Sequence, residues 1–120
     1  MRLLKYKDLT EEQKKFITNG CGGKGGWIKP PNFIFKASCN HHDFLYWRGA
    51  TEEDFKLANI KFYDKMEEDI KEVKNFLKRT HYKIWAYAYF KSVSLFGRKY
   101  FNFKRIKTLA DLKREMLCLG

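Results

Sequence analysis

The segment at residues 39–49, CNHHDFLYWRG, decides the fold because it predicts a helix with a sharp end. Ser38 can cap the start of this helix, and Gly49 is the residue type that ends helices in a left-handed conformation. Thr51 and Asp54 then provide the start signal of another helix almost at once. The stretch therefore predicts two consecutive helices that turn at Gly49.

Helical patterns continue on both sides of this turn. Apolar residues recur at helical spacing over residues 51–79, and residues 81–96 are apolar around most of the helix circumference. Shorter helices are predicted at residues 10–18, which begin with a capping box, and at residues 108–118. No strand-type alternation is found. The predicted fold class is all-α, as one compact helical domain over residues 1–120.

The charge of the chain favours anionic partners. Lys and Arg number 25 against 14 Asp and Glu, which gives a net charge of +11. Residues 1–38 and 96–120 each carry +5, whereas residues 39–95 carry only +1. Nucleic acid, an acidic lipid surface or an acidic protein would each suit this excess. No window is apolar enough to predict a membrane span, and we expect no export signal at the start.

A glycine-rich segment precedes the first strong helix. Residues 19–26, NGCGGKGG, contain five glycines, and residues 27–37 contain both prolines, so neither stretch can be helical. Loops of this length inside a small domain are generally functional or disordered. Glycine allows the backbone to turn its carbonyl oxygens toward the side where Asp43 would lie. These oxygens and the carboxylate together would suit calcium, because calcium prefers oxygen ligands. The loop is therefore the first candidate for a functional site.

The pattern C-x-x-H-D at residues 39–43, preceded by Gly-Cys-Gly at residues 20–22, resembles the phospholipase A2 superfamily, especially its compact prokaryotic and fungal branch. The resemblance covers about residues 18–97. Residues 58–64 and 85–97 look like the second and third helices of that branch. Residues 98–120 would then form a basic helical extension.

The resemblance implies an enzyme with two long antiparallel helices and a glycine-rich calcium loop. Its activity would be calcium-dependent hydrolysis of the sn-2 ester of glycerophospholipids, with His42 as the general base that activates water. Asp64 is the best match for the carboxylate that orients this histidine. However, a plain hairpin turning at Gly49 places residues 57–60 opposite His42, so Asp64 fits only if residues 50–57 form a separate bend.

Calcium is the cofactor that the resemblance implies. The expected ligands are Asp43, Asn19, and the carbonyls of Gly20 and Gly22, and a disulfide between Cys21 and Cys39 would close the loop. Asn19 stands where the branch tends to place an aspartate, which leaves the site one negative charge short. A disulfide and a calcium site together favour a location outside the cytoplasm or release from the cell.

Aromatic residues make up 18% of the chain, more than a small core requires. We expect five of them to line an acyl channel or an interfacial collar, with some contributing to the core: Trp27, Phe33, Phe35, Tyr46 and Trp47. On this interpretation the partner is a phospholipid membrane surface, with anionic lipid favoured and no nucleic acid expected.

Three alternatives remain open from the residues alone. The domain could bind lipid, or serve a structural role, without turnover. It could be a basic helical nucleic-acid-binding domain, because aromatic and basic residues alternate over residues 98–107. A zinc site is the third alternative, because Cys and His are zinc ligands and the chain contains Cys21, Cys39, His41 and Cys118. These residues lack the short spacings of structural zinc sites.

Overall fold

Five α-helices form the part of the chain that the structure, a computed structural model, describes: residues 3–18 and 33–119. They are α1 (Glu11–Ile17), α2 (Lys36–Arg48), α3 (Glu52–Lys71), α4 (Phe76–Phe96) and α5 (Leu109–Leu119). Short 3-10 helices occur at Tyr6–Asp8 and Gly97–Tyr100. These ranges contain no strand, which confirms the all-α prediction for them. None of their helices has both the length and the apolar character needed to cross a membrane.

Two helix starts are fixed by the capping boxes that the sequence predicted. The Thr10 hydroxyl accepts a hydrogen bond from the Gln13 amide at 3.1 Å, and the Gln13 side chain accepts from the Thr10 amide. Thr51 and Asp54 form the same reciprocal pair at the start of α3. Each pair satisfies backbone donors that the first turn of a helix leaves without partners.

The start of α2 differs from the prediction. The helix begins at Lys36, so Ser38 lies inside its first turn and is not the cap. Ser38 is buried, and its hydroxyl donates to Asp69 Oδ2 at 2.6 Å. This bond joins α2 to α3, which explains why a small polar residue occupies a buried position.

The long periodic segment at residues 51–79 is divided between two helices. The third helix ends at Lys71, and α4 begins after Asn75, whose side chain accepts from the Lys78 amide. Asn75 is thus the N-cap of α4, and the fourth helix is five residues longer at its start than the predicted 81–96. The predicted last helix agrees with α5 to within one residue at each end.

The α2–α3 hairpin turns sharply at Gly49. Its φ angle is +80°, and a side chain here would collide with the backbone of Asn102. Only glycine therefore suits both the backbone conformation and the available space. Because α3 starts at Glu52, no separate bend precedes it.

Two hydrophobic clusters form the core. The first includes Phe44, Tyr46, Phe55, Phe101 and Leu112, and the second includes Phe35, Cys39, Phe62, Met66 and Tyr89. The third helix contributes to both clusters and packs against α2 and α4. Since Phe101 and Leu112 belong to the first cluster, the C-terminal segment is an integral part of the core.

Candidate active site around His42

His42 lies where the two hydrophobic clusters meet. Its ring packs against Tyr46 of the first cluster, with a centroid distance of 4.1 Å, and stacks on Phe62 of the second at 4.5 Å. Only 6% of the residue is exposed. Packing against these two rings restricts the orientation of the imidazole, which is what a catalytic base requires.

Two hydrogen bonds converge on Asn59 and define the state of this histidine. His42 Nε2 lies 2.9 Å from Asn59 Oδ1, and the Tyr46 hydroxyl donates to the same oxygen at 2.7 Å. With the amide oxygen of Asn59 facing the ring, Nε2 donates to it and carries the proton. In the neutral ring, Nδ1 is then left with its lone pair. This is the tautomer that can accept a proton from water through Nδ1.

Burial controls the protonation of this group of residues. Desolvation lowers the pKa of His42 to about 4, although the hydrogen bond with Asn59 partly offsets the decrease. Desolvation also raises the pKa of Tyr46 well above its ordinary value, so the hydroxyl keeps its proton and remains a donor. His42, Tyr46 and Asn59 are therefore all uncharged at neutral pH.

Gly97 provides the space that Tyr46 needs. Gly97 is buried, and a side-chain carbon at this position would collide with the Tyr46 hydroxyl. The fourth helix ends at Phe96 with Gly97 as its C-cap, and the chain continues into a 3-10 helix. Gly97 has right-handed helical angles (φ −74°, ψ −17°). Its lack of a side chain serves packing rather than an unusual backbone conformation.

Asp64 does not take the expected position beside His42. It is exposed on α3, five residues beyond Asn59. Five residues move a side chain about 7.5 Å along a helix and about 140° around it. The prediction that Asp64 orients His42 is therefore wrong, whereas the hairpin geometry that placed residues 57–60 opposite His42 is confirmed by Asn59.

Among the predicted calcium ligands, Asp43 is described and the others are not. Asp43 is half-buried and directly follows His42 on α2, and its charge raises the pKa of Tyr46 in addition to desolvation. Asn19, Gly20 and Gly22 lie outside the described residues. Within residues 3–18 and 33–119, no three His, Cys, Asp or Glu side chains group together as a metal site would require.

The predicted disulfide concerns one described cysteine and one that is not. Cys39 is buried in the second cluster, and Cys118 is exposed with a free thiol. Cys21 lies outside the described ranges, so its pairing with Cys39 stays a prediction.

The predicted aromatic collar is only partly exposed. Phe33 is 39% exposed and contacts Trp85, whereas Phe35 is fully buried and Tyr46 is 7% exposed. Trp47 is half-buried and donates to Glu115 of α5 at 3.1 Å. Phe35 and Tyr46 are therefore core residues, as the prediction allowed for some of the five, and their burial places them outside an interfacial collar. Trp27 lies outside the described residues.

Comparisons with protein-family models, curated proteins and solved structures found no match to this chain. The geometry around His42 is therefore the basis for a functional interpretation.

Proposed function

We propose that this protein is a calcium-dependent hydrolase that cleaves the sn-2 ester of glycerophospholipids, with His42 as its general base. The observation that carries the proposal is the pair of hydrogen bonds on Asn59 Oδ1. They fix the imidazole in the tautomer whose Nδ1 can accept a proton. The resemblance of residues 39–43 to the phospholipase A2 pattern supplies the substrate class.

In the proposed reaction, Nδ1 of His42 accepts a proton from a water molecule as that water attacks the ester carbonyl. Asn59 holds Nε2–H through the step and keeps the ring oriented. The proton on Nδ1 then passes to the leaving alcohol oxygen. Asparagine serves the same orienting purpose for histidine in cysteine–histidine–asparagine sites.

Asn59 orients the imidazole but does not balance its charge. The amide is neutral, so the imidazolium formed during the reaction gains no opposite charge from this partner. The low pKa of His42, about 4, keeps the base unprotonated at neutral pH. The same low pKa makes it a weaker base than one whose pKa matches the working pH. We therefore expect slow turnover.

The donors proposed for calcium suit its chemistry. Asp43 would supply a carboxylate, Gly20 and Gly22 backbone carbonyls, and Asn19 an amide oxygen, and calcium takes oxygen ligands. Bound calcium would supply positive charge where the ester oxygen becomes negative. A disulfide between Cys21 and Cys39 would tie this loop to α2.

The surface of α4 supports action at a lipid interface. Six of its large apolar side chains are more than half exposed: Phe76, Leu77, Ile84, Tyr87, Leu95 and Phe96. The net charge of +11 adds attraction to anionic lipid. Apolar side chains combined with basic charge are typical of helices that lie at a membrane surface.

One observation favours a second candidate, a lipid-binding module without turnover. The neutral Asn59, rather than a carboxylate, is the partner of His42. Such a module would bind vesicles and release no fatty acid. A nucleic-acid-binding protein would instead bind a charged strand in the presence of EDTA and lose affinity steeply with salt.

The test is release of fatty acid from vesicles of mixed anionic and zwitterionic phospholipid, with calcium or with EDTA. We compare the parent, His42→Gln and His81→Gln, because His81 is an exposed histidine on α4. The proposal predicts calcium-dependent release by the parent and by His81→Gln, and none by His42→Gln. Equal release by all three proteins would remove His42 from the mechanism.

A further inference from the structure

A pocket lies beside α2, apart from the side chains that contact the ring of His42. It has a volume of about 490 Å³ and is formed by the N-terminal segment, α2 and α3. Its basic side chains are Lys5, Lys7, His41, Arg48, Lys61 and Lys65. None of the side chains that contact the His42 ring lines it. The pocket is therefore a separate feature of the molecule.

Helical spacing explains how these side chains converge. His41 and Arg48 are seven residues apart on α2, and Lys61 and Lys65 are four apart on α3, so each pair shares a helix face. His41 points about 100° away from His42, which directs the two rings into different spaces. The segment before α1 adds Lys5 and Lys7 from a third direction.

The pocket carries a strong positive charge that the protein itself does not neutralise. Five lining residues are Lys or Arg, and no carboxylate lines the pocket. Within the described ranges, none of these five forms an ion pair. Carboxylates act on the lining only from outside it, because Asp54 acts electrostatically on Arg48, and Glu11 and Asp43 act on Tyr6. Five cations around one pocket raise its positive potential, which favours the binding of an anion.

Two buried nitrogen atoms in this pocket have no partner in the described part of the chain: His41 Nδ1 and Arg48 Nε. Arg48 already uses one other nitrogen, because Nη1 donates to the Leu4 carbonyl at 2.8 Å. This bond holds the guanidinium against the N-terminal segment. A buried donor without an acceptor carries a desolvation penalty. An anionic oxygen in the pocket would satisfy Arg48 Nε.

We propose that this pocket is a binding site for a phosphate-bearing anion. Arg recognises phosphate through several N–H donors, and the surrounding lysines add point charges. The volume exceeds what a bare phosphate fills, and apolar side chains such as Tyr6 and Phe44 line part of it. The site therefore suits a phosphate that carries an organic group, either a soluble phosphate ester or the headgroup of an anionic lipid.

The experiment titrates the full chain at constant pH and near-physiological salt with three probes. They are inorganic phosphate, glycerol 3-phosphate, and phosphatidic acid in phosphatidylcholine vesicles. Binding is followed by calorimetry, and the Arg48 Nε–H resonance is followed by NMR for the soluble probes. The test variant is Lys61→Gln/Lys65→Gln. The control is Lys56→Gln/Lys113→Gln, which removes the same charge at exposed positions outside the pocket.

We expect the pocket variant to lose roughly tenfold in affinity, since it removes two charge-assisted contacts, and the control to change little. Binding of glycerol 3-phosphate with a shift of the Arg48 Nε–H resonance would identify a soluble ester. Binding to phosphatidic acid vesicles alone, lost in the pocket variant, would identify a lipid headgroup. Equal losses in the two variants, or no binding of any probe, would overturn the proposal. Because none of these readouts requires hydrolysis, the outcome is independent of the catalytic proposal.

Discussion

Acidification from pH 7 to pH 5 should destabilise the fold through His42. The ring is buried between Tyr46 and Phe62, and desolvation lowers its pKa to about 4 in the folded state. In the unfolded chain a histidine has a pKa of about 6.5. Between these two values the unfolded state binds more protons, so stability falls as the pH falls. Above pH 6.5 the contribution is fully present.

The size of this effect follows from the two pKa values. Their difference corresponds to roughly 3 kcal/mol once the pH lies below both of them. About 2 kcal/mol of this is lost between pH 7 and pH 5, where the folded state keeps the ring neutral and the unfolded state protonates it. A small domain has only about 5–15 kcal/mol of total stability, so the loss is readily measured.

The assay is urea unfolding at pH 7 and pH 5 for the parent, His42→Gln and His81→Gln. The parent and His81→Gln should lose about 2 kcal/mol more on acidification than His42→Gln does. His41 also has a pKa lowered to about 4, mainly by desolvation, but it is present in all three proteins and its contribution cancels. An equal loss in the parent and in His42→Gln would refute the conclusion that His42 is buried and neutral.

Two further substitutions test the support of the His42 ring. Asn59→Asp should raise the pKa of His42 and accelerate hydrolysis, because a carboxylate stabilises the imidazolium. NMR titration measures the pKa, and fatty-acid release measures the hydrolysis. An unchanged pKa would contradict the prediction. Gly97→Ala should cost roughly 1–3 kcal/mol, because the new methyl group collides with the Tyr46 hydroxyl. Thermal unfolding measures this loss beside Ser92→Ala, an exposed control on α4. Identical melting temperatures for those two variants would argue against the close contact.

Local signals were sufficient to predict several helix boundaries. Thr10 and Thr51 each begin a helix with the capping box that their sequences contain, and Gly49 ends α2 as predicted. The break between α3 and α4 was predicted at about residue 80 but lies at residues 72–75, because apolar residues keep helical spacing across it. Asn75 is the signal that could have located the break, since asparagine is a favoured N-cap.

The partner of His42 could be located from the hairpin geometry but not from residue type. Counting along two helices joined at Gly49 indicated residues 57–60, and Asn59 is the residue found there. Preference for a carboxylate led instead to Asp64, which is exposed. The distance argument was the better guide, because the rise of a helix is fixed whereas an amide can replace a carboxylate as acceptor.

The basic pocket could not be predicted from the sequence. Lys5 and Lys61 are far apart in the chain, and they come together only because the N-terminal segment packs beside α2 and α3. The charge count showed that residues 1–38 are basic. It could not show that Lys5 and Lys7 line the same pocket as Lys65. His41 entered the sequence analysis only as a possible zinc ligand, and its Nδ1 atom is buried.

Position-specific lipid hydrolysis tests the central claim most directly. Vesicles of mixed anionic and zwitterionic phospholipid would carry one label on the sn-1 chain and a different label on the sn-2 chain, and the parent protein would be assayed with calcium and with EDTA. The account predicts release of the sn-2 label alone, in the presence of calcium alone. Vesicle binding without release of either label would contradict the hydrolase and favour the non-catalytic lipid-binding module.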